Sequence, residues 1–152
     1  MQKKINSWLI TQVDKGTQTD YLELDSGEFL SNEIIIEVKN SALNYKDALA
    51  ITGMAPIIRK FPLIPGIDFS GVVIQSKNKK FGEGDRVFAT GLGLGELQHG
   101  GLSSHASTDA DILIKLPNKY THSYIMGLGT AGLTAMLAVL ALHENSIKPD
   151  AG

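Results

Sequence analysis

The chain has 152 residues, 43% of them apolar, which is the size of one ordinary domain and enough apolar content to exclude a disordered chain. Its 14 basic and 16 acidic residues give a formal net charge of −2, so there is no electrostatic case for binding nucleic acid or an anionic membrane. The absence of cysteine excludes disulfides, thiolate nucleophiles and sulfur-ligated zinc, and it fits a reducing, cytoplasmic compartment.

The first 117 residues predict a β-rich domain. The clearest strand is 33–41, where apolar and more polar side chains alternate with a period of two. Shorter runs predict strands at 7–13, 68–75, 86–90 and 112–116. Because glycine- and proline-rich turns separate these runs, the pattern is typical of a barrel or a sandwich.

A short helix is predicted at 45–51, inside this β-rich part. Asn44 is a suitable N-cap and Gly53 a suitable C-terminal residue. Asn44, Tyr45, Lys46 and Asp47 place an amide, a phenol, an ammonium and a carboxylate at the N-terminus of this helix, where free N–H groups carry a partial positive charge. Tyr45 could therefore bind a ligand carbonyl or donate a proton. The simpler alternative is ordinary capping by Asn44 with a half-buried Tyr45.

Two other polar positions have equally plain interpretations. Asp68 follows a Pro-Gly turn and is expected to be a turn residue. Arg59 and Lys60 form a small basic pair that is typical of solvated surface. The four histidines lack the spacing of metal ligands, so no metal site is predicted.

After Pro117 the pattern becomes helical. Apolar residues recur at i, i+3, i+4, i+7 and i+8 from Leu133, which predicts a helix over 133–144. Val139 and Leu142 widen its apolar face, so we expect burial on more than one side. No apolar run reaches the ~18 residues of a membrane span, and no secretory leader is expected in the first 13 residues.

The segment 127–132 matches G-x-G-x-x-G and precedes this helix. A dinucleotide-binding fingerprint also needs a strand before it and an acidic residue about 20 positions later. The preceding residues 120–124 make a poor strand, and the residue 20 positions beyond Gly132 is Gly152, the last of the chain, which is not acidic. A tight junction between two helices, where glycine permits close packing, is therefore the favoured interpretation.

Several segments together resemble the medium-chain dehydrogenase/reductase superfamily, and more narrowly its acryloyl-CoA reductase and quinone oxidoreductase (YhdH/YhfP) group. The segments are NYKDALAITG at 44–53, FPLIPGIDFSG at 61–71, FGEGDRV at 81–87, GGLS at 100–103 and GTAGLTA at 129–135. The resemblance extends from about Trp8 to Gly152. It implies a GroES-like partial β-barrel over 1–117 (an α+β class of fold) and a helical connection over 118–152 that leads into a Rossmann domain.

The resemblance also implies a chemistry. Members of this group reduce an activated C=C bond with NADPH, and the expected substrate is acryloyl-CoA or a quinone. Tyr45 and Asn44 are implied as catalytic and cofactor-contacting residues, Thr130 as a cofactor contact and Arg59 as a substrate contact. The zinc-dependent branch has cysteine and histidine where this chain has Asn44 and Ile67, so a zinc-independent member is expected.

The Rossmann strand and its glycine loop are expected just beyond Gly152, and they would bind most of the NADPH. The chain by itself is therefore expected to be inactive, with exposed apolar surface on the helix that starts near Leu133. The full-length protein is expected to be a homodimer that acts on a small molecule, without nucleic-acid or membrane partners. The alternative is a truncated, non-catalytic remnant or a GroES-like interaction module.

Overall fold

A computed structural model describes residues 4–147 and residue 149. The chain begins with a two-stranded hairpin in which β1 (Lys4–Val13) pairs antiparallel with β2 (Gly16–Asp25). A single helical turn, α1 (Ser26–Phe29), follows and is capped by the Asp25 carboxylate. Ile5, Leu9 and Phe29 belong to a first buried apolar cluster.

The central sheet has five strands in the order β6-β3-β4-β5-β7. These strands are β3 (Ile34–Ala42), β4 (Asp68–Ser76), β5 (Arg86–Thr90), β6 (His105–Thr108) and β7 (Ile114–Lys115). All of the neighbouring pairs are antiparallel. A 3₁₀ turn, Ala110–Ile112, precedes β7.

Strand β3 separates two apolar cores. Ile34 and Ile36 face the larger cluster with Phe69 and Val87, whereas Ile35 faces the first cluster. The predicted period of two in this strand is confirmed, and it places apolar residues on both faces at its start. Mixed strands followed by a terminal helix confirm the predicted fold class.

The short helix α2 (Tyr45–Thr52) starts where it was predicted and ends one residue later. Asn44 is its N-cap residue, and Gly53 follows it in the left-handed conformation (φ 67°). It follows β3 directly, so the N-terminus of α2 lies where β3 ends. The last helix, α3 (His122–Glu144), is longer than predicted and is interrupted at Gly129, whose φ of 49° and ψ of −153° are not helical. The predicted junction between two helices in 127–132 is therefore confirmed.

The prediction that the apolar face of α3 is buried on more than one side is wrong within this chain, whereas the expectation of exposed apolar surface on this helix is confirmed. Leu133 and Leu137 are 52% and 57% exposed, and Val139 and Leu142 are exposed as well. The buried residues of α3 are Met126 and Gly129, both near its start. An open apolar groove of about 740 Å³ lies between this helix and strands β5 and β7.

The expectation that no segment is long and apolar enough to span a membrane is also wrong. Helix α3 has 23 residues and a mean hydropathy of 2.0, which satisfies both criteria. The Gly129 break, however, divides it into parts shorter than the ~20 residues that a span requires. Apolar helices that pack inside proteins meet the same criteria of length and composition.

Candidate functional site

A buried carboxylate joins two residues that are far apart in the sequence. Asp68 is the first residue of β4 and is 0% exposed. Its Oδ2 accepts hydrogen bonds from Thr130 N (2.7 Å) and Asn44 Nδ2 (3.0 Å), and its Oδ1 accepts one from Thr130 Oγ1 (2.6 Å). The structure thus brings the predicted site residues Asn44 and Thr130 together around an acceptor that the sequence analysis took for a turn residue.

A second buried carboxylate, Asp47, positions the start of α2. Asp47, which is buried in α2, accepts Ile67 N–H at Oδ1 (3.0 Å) and Asn44 N–H at Oδ2 (2.8 Å). Burial raises the pKa of Asp47, the two backbone hydrogen bonds oppose that rise, and the nearby Asp68 charge adds to it. Asp47 therefore ties the start of α2 to the residue that precedes Asp68, which sets the position of Asn44.

The break in α3 lets Thr130 reach Asp68. A Cβ added at Gly129 would lie 2.5 Å from Asp68 Oδ2, and a φ of 49° is strained for any other residue. Because Thr130 starts the second part of α3, its N–H has no partner within the helix, and Asp68 supplies one. This carboxylate acts as a cap from a distant strand.

Tyr45 is the first residue of α2 and is next to Asn44 in the chain. Its side chain is 81% exposed, and its phenol makes no hydrogen bond to any part of the chain that the structure describes. The alternative of a half-buried Tyr45 is therefore wrong. An exposed phenol without a partner is free to bind a ligand.

Arg59 lies at the rim of α2 rather than beside Asp68. Its side chain, 62% exposed, is 3.9 Å from Glu96 Oε1, and its backbone N–H donates to Glu96 O. Glu96 Oε2 lies 2.8 Å from Lys46 Nζ, and that hydrogen bond holds the pKa of Glu96 below its usual value. Exposed ion pairs contribute only ~0–1 kcal/mol, so both cations can turn towards an anionic ligand.

Asp68 and Glu96 are site residues that were not predicted from the sequence. The available signal for Asp68 was its position: a carboxylate directly before the apolar residues of a strand is buried when the strand is central, and it then needs donors. For Glu96 no such signal exists, since its partners Lys46 and Arg59 come from another part of the chain.

The donor set does not favour a metal. Among residues 4–147, no group of three or more histidine, aspartate and glutamate side chains is close enough to hold an ion. At the two positions where the zinc-dependent branch has ligands, this chain has Asn44, whose amide nitrogen faces Asp68, and a buried apolar side chain, Ile67.

We expect the stability of the fold to depend on pH through His99. Its Nδ1 accepts the Ile64 N–H (3.2 Å), which requires a neutral ring, and burial lowers its pKa from 6.5. This interaction is fully present above pH 6.5 and is lost as the pH falls towards the lower pKa of the folded state. His99→Asn, which keeps an acceptor that does not titrate, should reduce the loss of unfolding free energy between pH 7.5 and 5.

Urea unfolding at several pH values measures this effect, with His143→Asn as the control at an exposed histidine in the last turn of α3. A pH dependence that is equal in the two variants would contradict the role given to His99.

Comparison with known protein families gives one match. Residues 30–118, more than half of the chain, match the alcohol dehydrogenase GroES-like domain. The matched residues include α2, the central sheet and the three site residues Asn44, Tyr45 and Asp68.

Two curated proteins are similar over most of this chain. The "Probable acrylyl-CoA reductase AcuI" of Escherichia coli (strain K12) is 43% identical over 144 residues, which are 95% of this chain and 44% of that protein. The "Putative quinone oxidoreductase YhfP" of Bacillus subtilis (strain 168) is 44% identical over 119 residues, which are 78% of this chain and 36% of that protein. The chain thus spans less than half the length of these relatives.

The structure of E. coli K-12 YhdH with bound NADPH superposes on this chain with a TM-score of 0.91 and 42% identity, covering 96% of this chain and 45% of that one. Because the superposition covers 96% of this chain, it includes most of α3. These matches confirm the resemblance to the medium-chain dehydrogenase/reductase superfamily and its acryloyl-CoA reductase and YhfP group. The chain belongs to the alcohol dehydrogenase GroES-like domain family.

Proposed function

We propose that this chain is the substrate-side part of an NADPH-dependent reductase that reduces an activated C=C bond, with acryloyl-CoA as the preferred acceptor and a quinone as the second. The observation that carries the proposal is the assembly of Asn44 and Thr130 at buried Asp68, with exposed and unpartnered Tyr45 directly after Asn44 in the chain. The similarity to a named acrylyl-CoA reductase and to a protein solved with NADPH supports the substrate and the cofactor.

The residues present fit the nicotinamide end of such a cofactor. Thr130 and Asn44 are half-buried polar residues, and Tyr45, which follows Asn44 in the chain, has an exposed flat ring. The cofactor would supply the hydride. The balanced reaction is acryloyl-CoA plus NADPH plus a proton giving propanoyl-CoA plus NADP⁺, with the hydride at the β-carbon and the proton at the α-carbon.

In this reaction the chain's own residues bind and polarise the acceptor. Hydride addition next to a thioester places negative charge on the carbonyl oxygen, and a donor aimed at that oxygen lowers the barrier. Tyr45 is the site residue whose O–H is not committed within the described part of the chain, so it takes this role and is also the candidate proton donor. Arg59 and Lys46, both on Glu96, are placed to attract the phosphates of a CoA ester.

The assay follows NADPH oxidation by the full-length protein at 340 nm with acryloyl-CoA and, separately, with a benzoquinone. We expect a higher kcat/KM with acryloyl-CoA. Faster turnover of the quinone would assign the second acceptor, and absence of NADPH oxidation with both would overturn the proposed function in favour of a non-catalytic interaction module, which the exposed face of α3 would suit.

Tyr45→Phe in the full-length protein should lower kcat by about 100-fold, the effect of removing one donor to a developing oxyanion. The substitution removes only the phenolic oxygen of an exposed side chain, so the fold should not change. Tyr21→Phe, at an exposed tyrosine on β2, is the matched control and should retain full activity. Unchanged turnover and unchanged NADPH affinity in Tyr45→Phe would remove Tyr45 from the site.

The proposal extends to the rest of the protein. A Rossmann domain following this chain would bind most of the NADPH and cover the apolar groove beside α3. The enzyme is proposed to be a cytoplasmic homodimer that uses no zinc and has no nucleic-acid or membrane partner. In this proposal residues 1–117 form the GroES-like domain, and residues 118–152 connect it to the Rossmann domain.

A further inference from the structure

Thr130 directs both of its hydrogen-bond donors to the same carboxylate. Its backbone N–H is 2.7 Å from Asp68 Oδ2 and its hydroxyl oxygen is 2.6 Å from Asp68 Oδ1. A carboxylate oxygen accepts, so the single hydroxyl proton of Thr130 points to Asp68. The residue is only partly buried, and a ligand that reaches its hydroxyl oxygen would meet lone pairs alone.

The side-chain amide of Asn44 also donates a hydrogen bond to Asp68. Its Nδ2 donates to Asp68 Oδ2 at 3.0 Å, and a second, longer contact of 3.5 Å leads to Ala42 O. The amide orientation follows from the carboxylate, because only the NH₂ end can face an acceptor. Asn44 therefore directs its amide NH₂ at Asp68 and, more weakly, at Ala42. Among the predicted site residues around Asp68 that the structure describes, Tyr45 is the one whose side-chain donor has no partner.

We propose that Asp68 is a positioning residue that orients the Thr130 hydroxyl as an acceptor, which selects a ligand group carrying N–H donors: the carboxamide NH₂ of the nicotinamide ring. The inference rests on the proposed function for the presence of that cofactor. It separates two roles that the sequence analysis combined, because Asn44 and Thr130 accept or position whereas Tyr45 donates.

The conservative variant Asp68→Asn gives the proposal a specific signature. Its remaining oxygen can occupy the Oδ2 position and keep the bonds from Thr130 N and Asn44 Nδ2, since these two donors share that atom. The new NH₂ then occupies the Oδ1 position and donates to Thr130 Oγ1, so the bond is reversed and the hydroxyl proton turns towards the ligand. The fold is kept while the hydroxyl changes from acceptor to donor.

The test compares NADPH with its reduced 3-acetylpyridine analogue, in which a methyl group replaces the carboxamide NH₂ and the carbonyl remains. Dissociation constants are measured by fluorescence titration of the full-length protein, without any acceptor substrate. The wild type should bind NADPH about five- to ten-fold more tightly than the analogue, the value of one hydrogen bond. Asp68→Asn and Thr130→Val should abolish this preference, and Thr130→Ser, which keeps the hydroxyl, should retain it.

If Asp68 had a merely structural role, Asp68→Asn would weaken the binding of both ligands equally and leave the ratio of their dissociation constants unchanged, which would overturn the proposal. A wild-type protein that binds both ligands equally well would also overturn it. If Asp68→Asn does not fold, the ratio of the two dissociation constants in Thr130→Val and in Thr130→Ser still tests whether the Thr130 hydroxyl selects the carboxamide. A protein that discriminates the ligands but reduces neither acceptor would disprove the proposed function and leave this inference standing. Failure to bind NADPH would overturn both.

Discussion

Gly129→Ala is expected to lower the free energy of unfolding by about 3–5 kcal/mol, from backbone strain of ~1–3 kcal/mol and the loss of hydrogen bonds worth ~1 kcal/mol each. Gly129 has a φ of 49° and a ψ of −153°, a conformation that residues with a Cβ rarely adopt. The new methyl group would also lie 2.5 Å from Asp68 Oδ2, so the carboxylate must move away from Thr130.

Gly127→Ala is the matched control, two residues earlier in the same helix. A Cβ there meets nothing within 4 Å, and alanine is the better helix former, so this variant should be neutral or up to ~1 kcal/mol more stable. Urea unfolding at one protein concentration, followed by circular dichroism and by the fluorescence of Trp8, the chain's single tryptophan, measures both variants. A difference between the two variants below 1 kcal/mol would mean that the Gly129 break is not needed to seat Thr130 at Asp68.

The parts of the fold that the sequence predicts are those with a local signal. The sequence of β3 carries a pattern of period two, and α2 lies between an N-cap asparagine and a glycine in the left-handed conformation. Strands β2 and β6 were missed because their residues carry no such pattern. Gly16–Asp25 is a polar hairpin strand that is largely exposed, and the polar residues His105–Thr108 are buried by pairing with β3.

The candidate site shows the same division. Asn44, Tyr45 and Thr130 followed from the resemblance, whereas the hydrogen bonds that join Asn44 and Thr130 to Asp68 became apparent only when β4 and the break in α3 were placed against each other. The apolar stripe of α3 was predicted from its periodicity, but its exposure was expected only from the resemblance, because a stripe shows which face is apolar and not which surface covers it.

The second large effect is expected from that uncovered stripe. Four large apolar side chains on one stretch of α3, Leu133, Met136, Leu137 and Leu140, are each between 46% and 57% exposed. Contiguous apolar surface of this kind drives association when nothing covers it. The 152-residue chain should therefore self-associate at micromolar concentration and bind an apolar dye, whereas the full-length protein should bind much less of the dye.

Met136→Glu combined with Leu140→Glu should return the isolated chain to a monomer in sedimentation-velocity experiments and reduce dye binding several-fold. The two new carboxylates lie in the exposed stripe, where their desolvation opposes any apolar contact. Ser123→Glu with His143→Glu adds the same two acidic residues at exposed polar positions of the same helix and should leave the association unchanged.

Three results would count against this account of α3. A wild-type chain that sediments as a monomer and binds no dye would show that the stripe is covered within the chain itself. Equal effects of the two charge pairs would mean that net charge, rather than the stripe, controls association. The chain could also co-sediment with neutral lipid vesicles, since α3 is apolar enough to enter a membrane. If this co-sedimentation is lost only in the variant with Met136→Glu and Leu140→Glu, the stripe binds a membrane and not the remainder of the reductase.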